Sequence, residues 1–236
     1  VPVDPGPSRW RLPDPAAAPP GREALAAGGE LDAATLLSGY RAGLFPMPQG
    51  RRLVWWSPDP RGVLPLSAFH ASRSLRRSGR RFDVSVDQAF DAVVAACADR
   101  PRRGRWISSR YRAAYRRLFD LGWAHSVEVW QDGRLAGGVF GIEVGGLFCG
   151  ESMVSLATDG SKSALRGLVA LLRAGQEPGR RVFDVQWSTP HLASLGVVEV
   201  PRPAYLAALP GALALPPVLG PRPVGPLPVL LATAGG

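Results

Sequence analysis

A carboxylate and an amide two residues apart, in Arg181-Val-Phe-Asp-Val-Gln-Trp187, are the first residues whose types and spacing suggest chemistry. The segment reads as a strand. Side chains alternate along a strand, so Asp184 and Gln186 share one face while Phe183 and Val185 take the other. Same-face neighbours lie about 6–7 Å apart, close enough to form one polar pair. A second carboxylate, Glu151, sits in Leu147-Phe-Cys-Gly-Glu-Ser-Met153, which reads as a neighbouring strand. Burying such groups is costly unless they are paired or put to use. Two readings stand on spacing alone. Asp184 can satisfy a strand-end amide and Glu151 can pair with an arginine, or both can work on a substrate.

Other chemistries lack their residues. No His, Cys and Asp grouping has metal-ligand spacing, so neither a metal nor another cofactor is expected. There is no Gly-x-Ser-x-Gly elbow, and Cys149 has no base near it in sequence, so covalent catalysis is unsupported. Asp159-Gly-Ser-Lys-Ser163 lacks the Gly-Lys-Ser/Thr spacing of a phosphate loop. His125 and His191 read as hydrogen-bonded structural histidines. Cys97, in an apolar helical run, reads as a small buried residue.

The elements that must position the polar groups follow from periodicity. Asp32 can cap a helix through Tyr40 that ends at Gly43, and Leu44-Phe-Pro-Met47 forms an apolar hook. Val54-Trp-Trp-Ser-Pro-Asp-Pro-Arg61 is a strand entering a turn. Its adjacent tryptophans face opposite ways, so at most one belongs to a core. Residues 73–81 have helix-compatible spacing, Phe82–Val86 alternates as a strand, and Asp87 is placed to cap a helix through Ala98. Ser108 or Ser109 starts another through Leu121. Gln131-Asp-Gly-Arg134 is the strongest hairpin signal, joining residues 125–130 to 135–144. Gly145-Gly146 then turns into the Glu151 strand. A helix over 161–174 leads to the Asp184 strand, after which Thr189 caps a short helix with Pro190 at its first position.

Three antiparallel strands, a helix and a further strand follow the order of the acetyltransferase-like α/β fold. The expected architecture is α+β: a small N-terminal domain over 30–61, then an acetyltransferase-like (GNAT-type) domain over 62–208 with a mixed, largely antiparallel sheet. Residues 1–29 read as an extended Pro/Ala-rich segment, and 209–236 as a Pro/Leu-rich tail without usable pattern.

The chain's 236 residues can bury a real core, and the net charge is +9 with Lys162 as the one lysine. The charge is concentrated: residues 70–120 hold thirteen Arg against five Asp, a balance of +8. That suits a polyanion such as nucleic acid, although a solvated set of helix faces has the same composition. Arg100-Pro-Arg-Arg-Gly-Arg-Trp106 mixes cations with one aromatic ring, which fits phosphate contact plus base stacking; Trp106 could equally plug a core. Two cysteines, no apolar signal core and no run of about 20 apolar residues suggest a cytoplasmic protein that does not cross a membrane. No self-association pattern stands out, so a monomer is expected.

The turn Arg/Gln-x-x-Gly-x-Gly/Ala, with which acetyltransferases of this fold hold coenzyme A, is missing. Acyl transfer would then need another activated donor. The segments Gly39-Tyr-Arg-Ala-Gly-Leu-Phe-Pro-Met47, Trp55-Trp-Ser-Pro-Asp-Pro-Arg61 and His70-Ala-Ser-Arg-Ser74 suggest which one. So do Gly104-Arg-Trp-Ile107, His125-Ser-Val-Glu-Val-Trp130, Leu147–Met153, Asp184-Val-Gln186 and His191-Leu-Ala-Ser-Leu-Gly196. In this order, over about residues 22–208, the sequence closely resembles the bacterial leucyl/phenylalanyl-tRNA–protein transferase family.

The resemblance implies transfer of Leu or Phe, and Met less well, from its aminoacyl-tRNA to proteins beginning with Arg or Lys. The product would be directed to degradation by the N-end rule. It implies that Asp184 and Gln186 are the catalytic pair and that Glu151, with Asp184, faces the basic acceptor. Val139, Phe148, Met153, Leu165, Leu168, Leu172 and Phe183 would line the aminoacyl pocket. On periodicity alone those residues read as plain core. Trp106 would pack near the terminal adenosine, with Met47 where some members place a tryptophan. Arg73, Arg76, Arg77, Arg80 and Arg81 would bind tRNA. The sequence leaves open whether Asp184 is a base or an orienter. Two other classes share parts of the pattern: a coenzyme A-dependent N-acetyltransferase and a non-catalytic RNA-binding module.

Overall fold

The computed structural model describes residues 1–99 and 106–232. The chain opens with β1 (Ala24–Ala27), α1 (Ala33–Arg41), β2 (Phe45–Gln49) and β3 (Arg52–Trp56), and the strands form a small sheet in the order β1-β3-β2. Asp32 caps α1 by accepting from the Thr35 amide at 2.9 Å. Residues 24–27 lie in a stretch that the composition marks as merely extended. They become a strand because β3 supplies a partner across thirty residues of chain, Ala24 facing Trp56. The apolar hook at Met47 is likewise an edge strand. Trp55 is fully buried and Trp56 half-buried, as alternation requires.

β4 (Arg61–Val63), α2 (Arg73–Ser78), β5 (Asp83–Val86), α3 (Phe90–Asp99), α4 (Ser109–Asp120), β6 (Ala124–Gln131), β7 (Arg134–Val144) and β8 (Leu147–Ser155) come next. After them run α5 (Gly160–Ala174), β9 (Val182–Gln186), α6 (Pro190–Ala193), β10 (Val198–Val200), α7 (Arg202–Leu213), β11 (Arg222–Gly225) and α8 (Leu227–Ala232). Eight strands form one sheet in the order β10-β4-β9-β8-β7-β6-β5-β11. Every pair is antiparallel except β8 with β9, which α5 connects as a crossover. This is a mixed, largely antiparallel α+β fold.

The hairpin between β6 and β7 turns at Asp132 and Gly133, both at positive φ, as an Asp-Gly turn demands. One face of the sheet carries a core containing Leu36, Tyr40, Trp55, Tyr115 and Phe140; the other carries Val84, Val127, Leu168 and Phe183 beneath α5. The C-terminal stretch is not patternless. β11 extends the sheet against β5, and Leu230 of α8 is buried in the second core. Asp87 does not cap α3. It adopts φ 61° and instead accepts from the Ser126 amide at 2.9 Å while bonding His125 Nδ1 at 2.8 Å. Among the described residues no helix is long and apolar enough to cross a membrane.

Candidate active site

β8 and β9 pair over three residues only, Leu147 with Val182, Phe148 with Phe183 and Cys149 with Asp184. Beyond that point the strands part. Gln186, the last residue of β9, adopts φ 63°, in the left-handed region that side chains other than glycine rarely enter. A conformation of this kind costs about 1–3 kcal/mol and persists only where the surroundings impose it. Here Asp184 Oδ1 accepts the Gln186 backbone N–H at 2.9 Å. On the opposite side Gly62 of β4 faces Gln186; a Cβ there would come within 2.8 Å of the Trp187 and Ser188 backbone, so only glycine permits the approach.

The twist at Gln186 breaks the alternation read from sequence. Gln186 lines a cavity of about 380 Å³ together with Phe183 and Val185, whereas Asp184 faces away from it. Glu151, Trp106, Val139, Met153 and Leu165 also line the cavity. Phe148, Leu168 and Leu172 do not; they are buried in the core behind it, where Phe148 meets Phe183 edge-on at 5.2 Å. Thr189 and His191, at the start of α6, add polar groups to the wall. Thr189 is fixed there by its capping bond to the Leu192 amide, with Pro190 at the first helical position.

Two carboxylates dominate the electrostatics. Glu151 is partly buried and held by two phenols: Tyr40 donates to Oε1 and Tyr115 to Oε2, each at 2.7 Å. Among the described residues no cation forms an ion pair with it. Burial pushes its pKa up to about 7, and the two hydroxyls only partly offset this. Burial likewise raises both phenols, with the nearby Glu151 charge adding to it, so they remain donors.

Asp184, fully buried, is paired instead. Arg61 donates through Nε to Oδ1 at 2.9 Å and through Nη2 to Oδ2 at 2.5 Å, and the Tyr205 hydroxyl donates to Oδ2 at 2.9 Å. The Arg61 guanidinium packs on the Tyr205 ring at 4.5 Å and the Phe45 ring at 5.0 Å, and its Nη1 reaches the Gly43 carbonyl at 3.1 Å. Burial pulls the Arg61 pKa down, but the Asp184 charge outweighs it and the net shift is upward. The Cys149 thiol lies 3.5 Å from Oδ2, and burial, then the Asp184 charge, drives its pKa upward. That thiol is inert as a nucleophile.

Trp106 is half-buried, edge-on to Tyr111 at 5.5 Å and to Tyr115 at 6.2 Å, so the ring both packs on the core and borders the cavity. Met47 sits on β2 away from the cavity lining, its carbonyl accepting from the Trp56 indole at 3.1 Å. Arg73, Arg76, Arg77, Arg80 and Arg81 are all exposed, on α2 and the 3-10 turn that follows it. Among the described residues they form no salt bridge, whereas Arg116 on α4 is committed to Asp91 and Asp120. Arg100, Arg102, Arg103, Gly104 and Arg105, read as a basic loop, lie outside the described residues. His125 is held by Asp87, and among the described residues no three His, Cys, Asp or Glu side chains gather as a metal-binding group.

The sequence alone does not single out Arg61, Tyr205, Tyr40 or Tyr115. Their partners stand 21 to 123 positions away, and no local pattern announces such meetings.

A family model described as leucyl/phenylalanyl-tRNA protein transferase matches residues 63–210, and one for the N-terminal domain of the same proteins matches residues 29–59. A leucyl/phenylalanyl-tRNA–protein transferase of Aromatoleum aromaticum is 51% identical over 190 residues, which is 78% of this chain and 79% of that protein. One of Paramagnetospirillum magneticum is 49% identical over 193 residues, covering 78% and 90%. One of Burkholderia orbicola is 43% identical over 227 residues, covering 92% and 87%.

Proposed function

The chain belongs to the leucyl/phenylalanyl-tRNA–protein transferase family and is an aminoacyltransferase; we propose that it moves Leu or Phe, and Met less well, from aminoacyl-tRNA to an N-terminal Arg or Lys. The observation that carries this reading is Glu151. A partly buried carboxylate at the edge of an apolar cavity, without a cation of its own among the described residues, is suited to receive one from the acceptor.

An aminoacyl ester is already activated, and an α-amine has an ordinary pKa of about 7.7–8.0, so a usable fraction is neutral near pH 7.5. The amine nitrogen attacks the ester carbonyl, the new amide bond forms, and the terminal hydroxyl of the tRNA leaves with a proton. The enzyme chiefly has to align two reactants. The aminoacyl side chain fits among Val139, Met153, Leu165 and Phe183, within a cavity in the size range of small-ligand sites. Flexible Met153 lets the wall take Leu, Phe and, less well, Met, because a hydrophobic wall discriminates a methylene by only about 1–3 kcal/mol. Gln186 has an Nε2 that is buried with no acceptor among the described residues, a spare donor for the carbonyl oxygen as charge builds there. An amide is no base, so Gln186 removes no proton.

Trp106 at the cavity edge would pack against the terminal adenosine, and the exposed arginines of α2 and the turn after it, which form no salt bridge among the described residues, would hold the tRNA backbone. Their contribution would weaken as salt rises. The product, with Leu or Phe at its N-terminus, would enter N-end rule degradation in the cytoplasm.

The decisive experiment incubates the protein with Leu-tRNA and a peptide beginning with Arg, followed by mass spectrometry. Parallel reactions use a peptide beginning with Ala, and acetyl-coenzyme A as donor. Addition of one leucine to the Arg peptide alone is expected. No addition from intact Leu-tRNA by folded protein would refute the reading. Acetylation in the coenzyme A reaction would replace it with the acetyltransferase alternative.

A further inference from the structure

The geometry behind β9 points to Arg61 and Tyr205 as positioning residues that hold Gln186 through Asp184, leaving Asp184 as an anchor with no proton to carry. This inference rests on the aminoacyl-transfer reading above.

A carboxylate offers about four lone-pair sites. At Asp184 four well-formed donors occupy them: Arg61 Nε and the Gln186 amide on Oδ1, Arg61 Nη2 and the Tyr205 hydroxyl on Oδ2. The Cys149 thiol crowds Oδ2 further. An incoming proton would have to displace one of these, and the side chain is fully buried and turned away from the cavity. Asp184 is thus out of reach of the acceptor amine. What it does touch is the Gln186 amide, and that bond opposes relaxation of the left-handed conformation that aims the Gln186 side chain at the cavity. The anchor is itself anchored. Arg61 comes from β4, Tyr205 from α7, and the Gly43 carbonyl that fixes Arg61 Nη1 follows α1, so three distant segments converge to set one backbone angle. A fork-on-carboxylate pair fixes direction as well as charge, which a flexible ammonium does not.

Tyr205→Phe tests this with the loss of a single oxygen, since the ring remains over Arg61. The wild-type enzyme transferring Leu to the Arg peptide is the control for the function itself; if that fails, the family activity is at fault and not this inference. With the control active, Tyr205→Phe is expected to retain a near-wild-type melting temperature, KM for peptide and affinity for Leu-tRNA. Its kcat falls about tenfold, the range in which misplacement of a reacting group is felt. In an Asp184→Asn background the same change should cost little more, because the hydroxyl acts through the Arg61–Asp184 pair. Full kcat in Tyr205→Phe, or losses that multiply independently in the double variant, would overturn the proposal. Should Tyr205→Phe fail to fold, Arg61→Lys keeps the cation but loses the fork, and the same pattern of outcomes decides.

Discussion

Glu151 and Asp184 stand on adjacent strands, one on the cavity and one behind it, and the protein treats them in opposite ways. Asp184 is given a guanidinium, a phenol and a backbone amide; Glu151 is given two phenols and no ion-pair partner among the described residues. A buried charge with a matched cation is settled, and nothing further can be bound there without breaking it. A partly buried carboxylate supported only by neutral donors keeps an appetite for a cation. The difference separates a group that fixes geometry from a group that recognises, and the distinction is visible in the partners rather than in the residue type.

The largest effect is expected at the settled end. Arg61→Leu leaves Asp184 buried with its charge uncompensated, which should destabilise the protein by about 3–5 kcal/mol in a urea unfolding titration. A loss below about 1 kcal/mol would mean that the pair is not a structural anchor. At the receptive end, Glu151→Gln should fold normally and still bind Leu-tRNA. Its kcat/KM for a peptide beginning with Arg should drop on the order of a hundredfold, the effect of removing one partner of a desolvated charge pair. Retained preference for Arg over Ala in that variant would remove Glu151 from recognition.

A finer division appears in the pH dependence. Glu151 must be anionic to hold a cationic acceptor, and its raised pKa of about 7 places that transition at neutral pH. Acceptor kcat/KM should therefore decline as pH falls through about 7 and hold above it, superimposed on the rise expected as the α-amine loses its proton near 7.7–8.0. The lower limb should vanish in Glu151→Gln. Its persistence there would assign the titration elsewhere. The smallest effect comes from Tyr40→Phe. Removing a donor to the charged form leaves burial less opposed, so the Glu151 midpoint should climb by roughly one pH unit or less. A downward movement would contradict the hydrogen bond.

Much of the scaffold was legible because its signals are local. The Asp132-Gly133 hairpin, the Asp32 and Thr189 caps and the crossover from β8 through α5 to β9 follow from spacing and turn chemistry. The functional family was legible from ordered motifs, even though no single one sufficed. The faces were harder. Alternation placed Asp184 and Gln186 side by side, and the left-handed turn at Gln186 put them on opposite sides of β9. Phe148, Leu168 and Leu172 share the apolar pattern of Met153 and Leu165, yet the part of β9 that remains paired seals them into the core. The strands at residues 24–27 and 222–225 were invisible because each exists only through a partner remote in sequence.

The two family matches divide the chain at residues 59 and 63, and Arg61 falls in the gap between them. Tyr40, from the first match, reaches across to Glu151 in the second, and the Gly43 carbonyl steadies Arg61. The boundary between the two matched segments therefore passes through the site itself. Neither piece carries a complete set of contacts for either carboxylate, so the two cannot drift independently without loosening both. In this respect the two matched segments form a single structural unit.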